Sequence, residues 1–212
     1  MSLEVILFSL ACGVAGYVVG SIPFGWVIVK LLKGEDIRTY GSGRSGGTNV
    51  MRAAGKPAGF ATAILDVLKG MAMAWLCREL GKSVPGSAGW PEALAGAGAV
   101  LGHCASLFLN FRGGAGGATA TGTSIAMWAT GGVPAMLLGA FVWLIIGYAS
   151  LGTLTVGVCV AAGFLLGALM GLVPVSYAFF GFAILGIVLI ALRPNLARLR
   201  AGTEPRKPIF DR

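Results

Sequence analysis

Charge is scarce in this chain. Only 11% of its 212 residues are Asp, Glu, Lys or Arg, against roughly 25% in a soluble domain. That shortfall argues against an ordinary water-soluble globule. There is one histidine, His103. Five positions on stands Phe108, which excludes a His-x4-Asp catalytic pair. The cysteines Cys12, Cys77, Cys104 and Cys159 lie far apart, in or beside apolar runs. They lack metal or redox spacing and read as small buried hydrophobes. No basic stretch precedes the first apolar run, and Glu4 is acidic. That run therefore reads as a retained span and not as a cleaved signal. Glycine is abundant, at 35 residues, but without the three-residue period of collagen. No longer internal repeat is evident.

Apolar residues make up 56% of the chain, and its mean hydropathy is +0.84. Long runs cover about 3–31 (interrupted by Ser21-Ile22-Pro23), 58–80, 93–110, 118–147, 151–171 and 175–192. This pattern predicts an all-α, polytopic integral membrane helical bundle. Gly131-Gly132-Val133-Pro134 sits in the middle of 118–147 and predicts a turn there. Two short helices result, over 118–130 and 133–147. Gly16 and Gly20, and Gly163, Gly167 and Gly171, recur at four-residue spacing and read as helix-packing seams.

The net charge of +8 follows the positive-inside rule. Basic residues are not interleaved with aromatics in a soluble domain, so nucleic acid is not the expected partner. Lys30, Lys33, Arg38, Arg44, Arg52 and Lys56 collect in the first polar loop. Arg193, Arg198, Arg200, Arg206, Lys207 and Arg212 collect near the C-terminus. Both segments are expected in the cytoplasm, which requires an odd number of spans. Splitting 118–147 gives about seven, N-out and C-in. Residues 1–204 then form one transmembrane domain, and 205–212 a short cytoplasmic tail.

Two glycine-rich polar loops, 41–52 and 112–119, fall on one face in this scheme. Gly41, Gly43 and Gly46 match a dinucleotide fingerprint by spacing alone, without its strand–turn–helix context. Gly81-Lys82-Ser83 lacks the earlier glycine of a P-loop, since Leu76 stands there. What remains is anion binding by backbone N–H groups, Ser, Thr, Asn and Arg, or simple inter-helix turns. Asp66 and Lys69 share a face inside a span. They form either a structural ion pair or part of a site. His103 lies close to the second loop, as a packed residue or a functional one. Glu204 is a solvated charge or an organiser of a cationic loop.

Together these motifs resemble the bacterial membrane acyl-phosphate:glycerol-3-phosphate acyltransferase family, the PlsY type. The likeness runs through Gly20-Ser21-Ile22-Pro23-Phe24-Gly25, then Gly41-Ser42-Gly43 with Thr48-Asn49-Val50. It continues through Leu65-Asp66-Val67-Leu68-Lys69-Gly70 and Leu101-Gly102-His103. Phe111, Gly113, Gly114, Gly116, Ala118 and Thr119 follow, then Ser150-Leu151 and Gly202-Thr203-Glu204.

The resemblance implies a multi-pass protein of the bacterial inner membrane with a cytoplasmic active face. It implies acyl transfer from acyl-phosphate to the sn-1 hydroxyl of glycerol 3-phosphate, giving lysophosphatidic acid and phosphate for phospholipid synthesis. No metal or other cofactor is implied. Membrane lipid is a partner, and an acyl-phosphate-forming enzyme would act upstream. Carried over by position, Ser42, Asn49, His103 and Glu204 are the candidate catalytic residues. Gly41, Gly43, Arg44, Thr48, Arg52, Lys69, Gly113, Gly114, Gly116, Thr119 and Ser150 are the candidates for binding substrate phosphate. The family lacks a dedicated side-chain base, and substrate phosphate would assist.

Two departures stand out. Ala115 replaces a family lysine, and Arg44 a family asparagine. Arg44 is expected to supply the displaced charge from the facing loop. Ser45, Gly47 and Gly117 also replace family residues and loosen both loops. The alternatives are a catalytically altered relative that binds phosphorylated lipids, or a small-solute membrane transporter.

Overall fold

The computed structural model describes residues 1–206. Among these the chain is all helical, with two short 3₁₀ turns at Ile37–Thr39 and Leu107–Leu109. Helix α1 (Leu3–Gly20) starts at Ser2, whose hydroxyl accepts the Val5 N–H at 3.3 Å. This cap satisfies one of the orphan donors of a helix start, and Glu4 complements the dipole there. Pro23 separates α1 from α2 (Phe24–Lys33), as the interruption at Ser21-Ile22-Pro23 predicts.

After the first polar loop come α3 (Gly47–Ala54), α4 (Lys56–Gly81) and α5 (Trp90–Cys104). Helices α1 and α5 pack along a glycine seam. A Cβ on Gly16 would stand 2.1 Å from the Ala95 carbonyl oxygen, and one on Gly20 the same distance from that of Ala99. Only a bare backbone allows this approach. The spacing of Gly16 and Gly20 is thus a packing seam. The other glycine series divides: Gly167 abuts the Trp128 ring, Gly163 faces open space and Gly171 turns the chain at φ 70°. Cys12 and Cys77 sit in one buried cluster with Met73 and Ala95, as small hydrophobes do.

The second half comprises α6 (Gly117–Met127), α7 (Ala129–Ile146), α8 (Ala149–Leu169) and α9 (Val175–Arg200). The turn expected at 131–134 is absent. The chain breaks instead at Trp128, which is extended at φ −154°, ψ 95°, and Pro134 lies inside α7. Gly132 serves close packing here: a Cβ on it would stand 2.6 Å from the Ile125 nitrogen. The Trp128 ring packs edge-on against Phe164, with centroids 5.6 Å apart. The last span also continues past 192, through Pro194, to Arg200.

Among the described residues six helical segments are long and apolar enough to cross a membrane, counting Leu3–Lys33 as one. Helix α6, with 11 residues, is only about 16 Å long, short of the ~30 Å hydrocarbon core. It starts deep, however. Gly70, in the middle of α4, faces Thr119, and Arg78 near the end of α4 donates to the Ala126 carbonyl at 3.2 Å. The second loop is therefore sunk into the bundle, beside the middle of α4. The main core lies between α5, α6, α8 and α9, around Val100, Ala120, Phe164, Phe180, Ile184 and Val188. Most of the expected tail, 207–212, lies outside the described residues.

Candidate active site

Four segments distant in sequence meet at one end of the bundle around a cavity of about 300 Å³. Its polar head is lined by Ser42, Arg44, Arg52, Ser150, Asn195 and Glu204, and its apolar flank by Phe60, Ala63, Met136, Ala140, Trp143 and Val156. Helices α4 and α7 both pack on α6. The apolar flank thus lies between them, and exposed Phe60 and Ala140 place it on the lipid-facing side.

Three helix N-termini open on this cavity: those of α3, α6 and α8. Their cap residues are Gly46, Gly116 and Tyr148, and none of the three makes a side-chain cap hydrogen bond. The partial positive ends of these dipoles and their free donors favour an anion. Thr48, Asn49 and Arg52 therefore stand on a helix, not in the loop expected over 41–52. Likewise Ala118 and Thr119 belong to α6.

Asn49 fastens the first loop. Its Oδ1 accepts the Ser42 N–H at 3.1 Å, and its Nδ2 donates to the carbonyls of Tyr40 at 3.0 Å and Arg44 at 2.9 Å. Arg44 crosses to the second loop. Nη1 donates to the Gly114 carbonyl at 2.9 Å, and Nη2 donates to that of Ala191. Burial pushes the Arg44 and Arg52 guanidinium values down, and nearby Glu204 opposes this at both. Both remain cations at physiological pH.

Glu204 ties the C-terminal segment down. It accepts Asn195 Nδ2 at 2.7 Å and Arg198 Nε at 2.8 Å. Arg52 Nη2 donates to the Pro205 carbonyl at 3.3 Å, and Arg206 Nε to that of Ile146 at 3.0 Å. The segment 204–206 thus straps the cavity's rim to α3 and α7.

Of the candidates named from sequence, Ser42, Asn49, His103, Glu204, Arg44, Thr48, Arg52, Gly116 and Ser150 line the cavity. Gly41, Gly43, Lys69, Gly113, Gly114 and Thr119 do not. The glycines shape the loops behind the wall. Thr119 is fully buried on the α4 side of α6. Lys69 turns away. Its Nζ binds Asp66 Oδ1 at 2.8 Å and the Ile22 carbonyl at 2.9 Å, and lies 5.6 Å from the Phe24 ring centroid. Two of its three N–H groups are thus used within the protein, and the side chain lies behind the cavity wall.

Sequence reasoning missed Asn195 altogether. Pro194-Asn195 reads as a helix end, so no role attached to it. Yet Asn195 Oδ1, Arg198 Nη2 and Ser150 Oγ are buried without a hydrogen-bond partner among the described residues. Two of these residues, Ser150 and Asn195, line the cavity. Buried polar atoms are rarely left unpaired, so this wall is built for a polar ligand.

A membrane-embedded helical bundle whose lipid-facing cavity suits an amphiphile with an anionic head is the class that fold and site define. A model of the family described as glycerol-3-phosphate acyltransferase matches residues 10–202. The glycerol-3-phosphate acyltransferase of Rubrobacter xylanophilus is 41% identical over 207 residues, covering 95% of this chain and 94% of its own. That of Anaeromyxobacter dehalogenans is 40% identical over 197 residues, covering 91% and 94%. The crystal structure of PlsY (YgiH), an integral membrane glycerol 3-phosphate acyltransferase, is similar in its glycerol 3-phosphate form. The TM-score is 0.81 and the identity 36%, over 93% of this chain and 94% of that one. Its lysophosphatidic acid form gives a TM-score of 0.79 and 33% identity, over 96% and 99%. The chain belongs to the glycerol-3-phosphate acyltransferase family, and is an integral membrane protein of that acyltransferase type.

Proposed function

We propose that this protein transfers a fatty acyl group from acyl-phosphate to the sn-1 hydroxyl of glycerol 3-phosphate, releasing lysophosphatidic acid and phosphate. The observation that carries this reading is the meeting at one cavity of three helix N-termini without side-chain caps, Arg44, Arg52, and the Ser150 Oγ and Asn195 Oδ1 atoms that lack a partner among the described residues. Such a surface suits phosphate groups. The flank at Phe60, Met136 and Trp143 suits a hydrocarbon tail arriving from the bilayer. The PlsY structures in glycerol 3-phosphate and lysophosphatidic acid forms support both halves of the reading.

The acceptor hydroxyl oxygen attacks the acyl carbonyl carbon. The bond from that carbon to the phosphate oxygen breaks, and phosphate leaves with the electron pair. The hydroxyl proton passes to the phosphate, so no side-chain base is needed. Phosphate leaves readily, and the protein's contribution is positioning and stabilisation of developing charge. Arg52, Ser150 and Asn195 hold the acceptor's phosphate, Ser42 and Thr48 complete the wall, and Glu204 keeps Asn195 and the strap in place. The basic residues of the first loop and of the C-terminal segment support a cytoplasmic position for this face, in a bacterial inner membrane. An enzyme forming acyl-phosphate acts upstream.

The test is phosphate release from synthetic acyl-phosphate in detergent, with and without glycerol 3-phosphate. Release that depends on the acceptor and is lost in Arg52→Ala supports the reading. Release indifferent to acceptor and to that substitution overturns it. The replacement of the family lysine by Ala115 favours, as a second reading, a relative that binds phosphorylated lipid without turnover. Glycerol 3-phosphate binding with no transfer would select it.

A further inference from the structure

Asp66, Lys69 and His103 form a buried group that the proposed chemistry leaves without a task. All three are nearly inaccessible, at 2%, 6% and 5% exposure. Asp66 Oδ1 accepts Lys69 Nζ at 2.8 Å and lies 3.4 Å from His103 Nδ1. Lys69 is also bonded to the Ile22 carbonyl at the α1–α2 break. With Nδ1 turned to Asp66, the opposite ring edge faces the second loop. A Cβ on Gly114 would stand 2.0 Å from His103 Nε2. Gly114 N–H also donates to the His103 carbonyl at 2.9 Å, and Gly113 N–H to that of Cys104 at 3.0 Å. Arg44 holds the Gly114 carbonyl from the other side. The backbone of the second loop is therefore gripped at Gly114, just before the α6 N-terminus that opens on the cavity.

We infer that Asp66 and Lys69 are positioning residues: they orient the His103 imidazole, which fixes Gly114 and so aims the N–H groups of α6 at the bound phosphate. A buried ion pair at membrane depth is costly, and such groups are kept where they serve a site. This inference rests on the proposed phosphate site.

The test compares the full-length protein with Asp66→Asn/Lys69→Met, His103→Asn and the triple variant, all in detergent. The double variant removes both charges together, so no unpaired ion is left buried. Two readouts are used: calorimetric titration with inorganic phosphate, and steady-state kinetics. The double variant is expected to keep its thermal midpoint and to weaken phosphate binding by about tenfold or more. KM for glycerol 3-phosphate should rise while KM for acyl-phosphate stays within about twofold. The triple variant should be no worse than the double, because the three residues act as one unit. If the double variant unfolds, His103→Asn alone decides by the same phosphate titration. Wild-type phosphate affinity in the folded double variant, or additive losses in the triple, overturns the inference. A wild-type protein without transfer activity would sink the proposed reaction, while the phosphate titration still decides the positioning role.

Discussion

The Arg44 guanidinium donates Nη1 to the carbonyl of Gly114, 70 residues further along the chain, at 2.9 Å. One bond thus joins the two glycine-rich loops and sets a cation beside Ala115 at the cavity wall. Arg44→Asn is expected to cut transfer sharply. A charge-assisted bond of this kind contributes about 1.5–3 kcal/mol, enough for a tenfold loss or more. Adding Ala115→Lys to Arg44→Asn should restore part of the rate. Full activity in Arg44→Asn alone would reject the role given to Arg44.

Ser150 and Asn195 differ in what their removal costs. Ser150 Oγ has no partner among the described residues, so Ser150→Ala gives up no internal hydrogen bond. Its melting temperature should stay at the wild-type value while KM for glycerol 3-phosphate rises severalfold, about 1 kcal/mol. Asn195 also donates to Glu204, so Asn195→Ala should both raise KM and loosen the strap. Limited proteolysis near 204–206 reads the second effect. Equal melting and equal KM in both variants would contradict this division.

Gly114 and Gly163 make a matched pair of probes. A methyl on Gly114 would meet His103 Nε2 at 2.0 Å, whereas one on Gly163 meets nothing within 4 Å. Gly114→Ala should lose activity through displacement of the second loop. Gly163→Ala lies inside a helix and should raise stability by up to about 1 kcal/mol. Thermal melting and initial rates check both.

Asp36 supplies a pH signature outside the spans. Hydrogen bonding from the Arg38 guanidinium, first among several causes, holds its carboxyl at about 2, below the ordinary 3.8. A depressed value means that the stabilisation is complete above the unfolded value and fades as pH falls toward 2. The melting difference between wild type and Asp36→Asn should be constant from pH 7 to about 5. It should shrink below about 4. A difference that grows on acidification would contradict the assignment.

Much of this architecture was legible in the sequence. Long apolar runs have no soluble alternative, and basic residues at 30–56 and 193–206 put two distant segments on one face. The break at Ser21–Pro23 and the seam at Gly16 and Gly20 follow from local chemistry. The break at Trp128 was not legible. An aromatic residue carries no turn signal, and its extended backbone is fixed by packing on Phe164, which is distant in sequence. The same holds for the cavity. Arg44, Arg52 and Ser150 bear chemistry that stands out among apolar neighbours. Asn195 does not, because its role comes from the helix that continues through Pro194. Lys69 misled for the converse reason. Its charge suggested phosphate, but its partners, Asp66 and the Ile22 carbonyl, appear only once the helices are packed.

The most direct test of the proposed reaction reconstitutes the purified protein in liposomes with acyl-phosphate and isotope-labelled glycerol 3-phosphate, and follows the lipid product by mass spectrometry. The expected result is labelled lysophosphatidic acid, formed mole for mole with phosphate and absent in Arg52→Ala. Phosphate appearing without labelled lipid, or labelled lipid formed equally well by that variant, would contradict it.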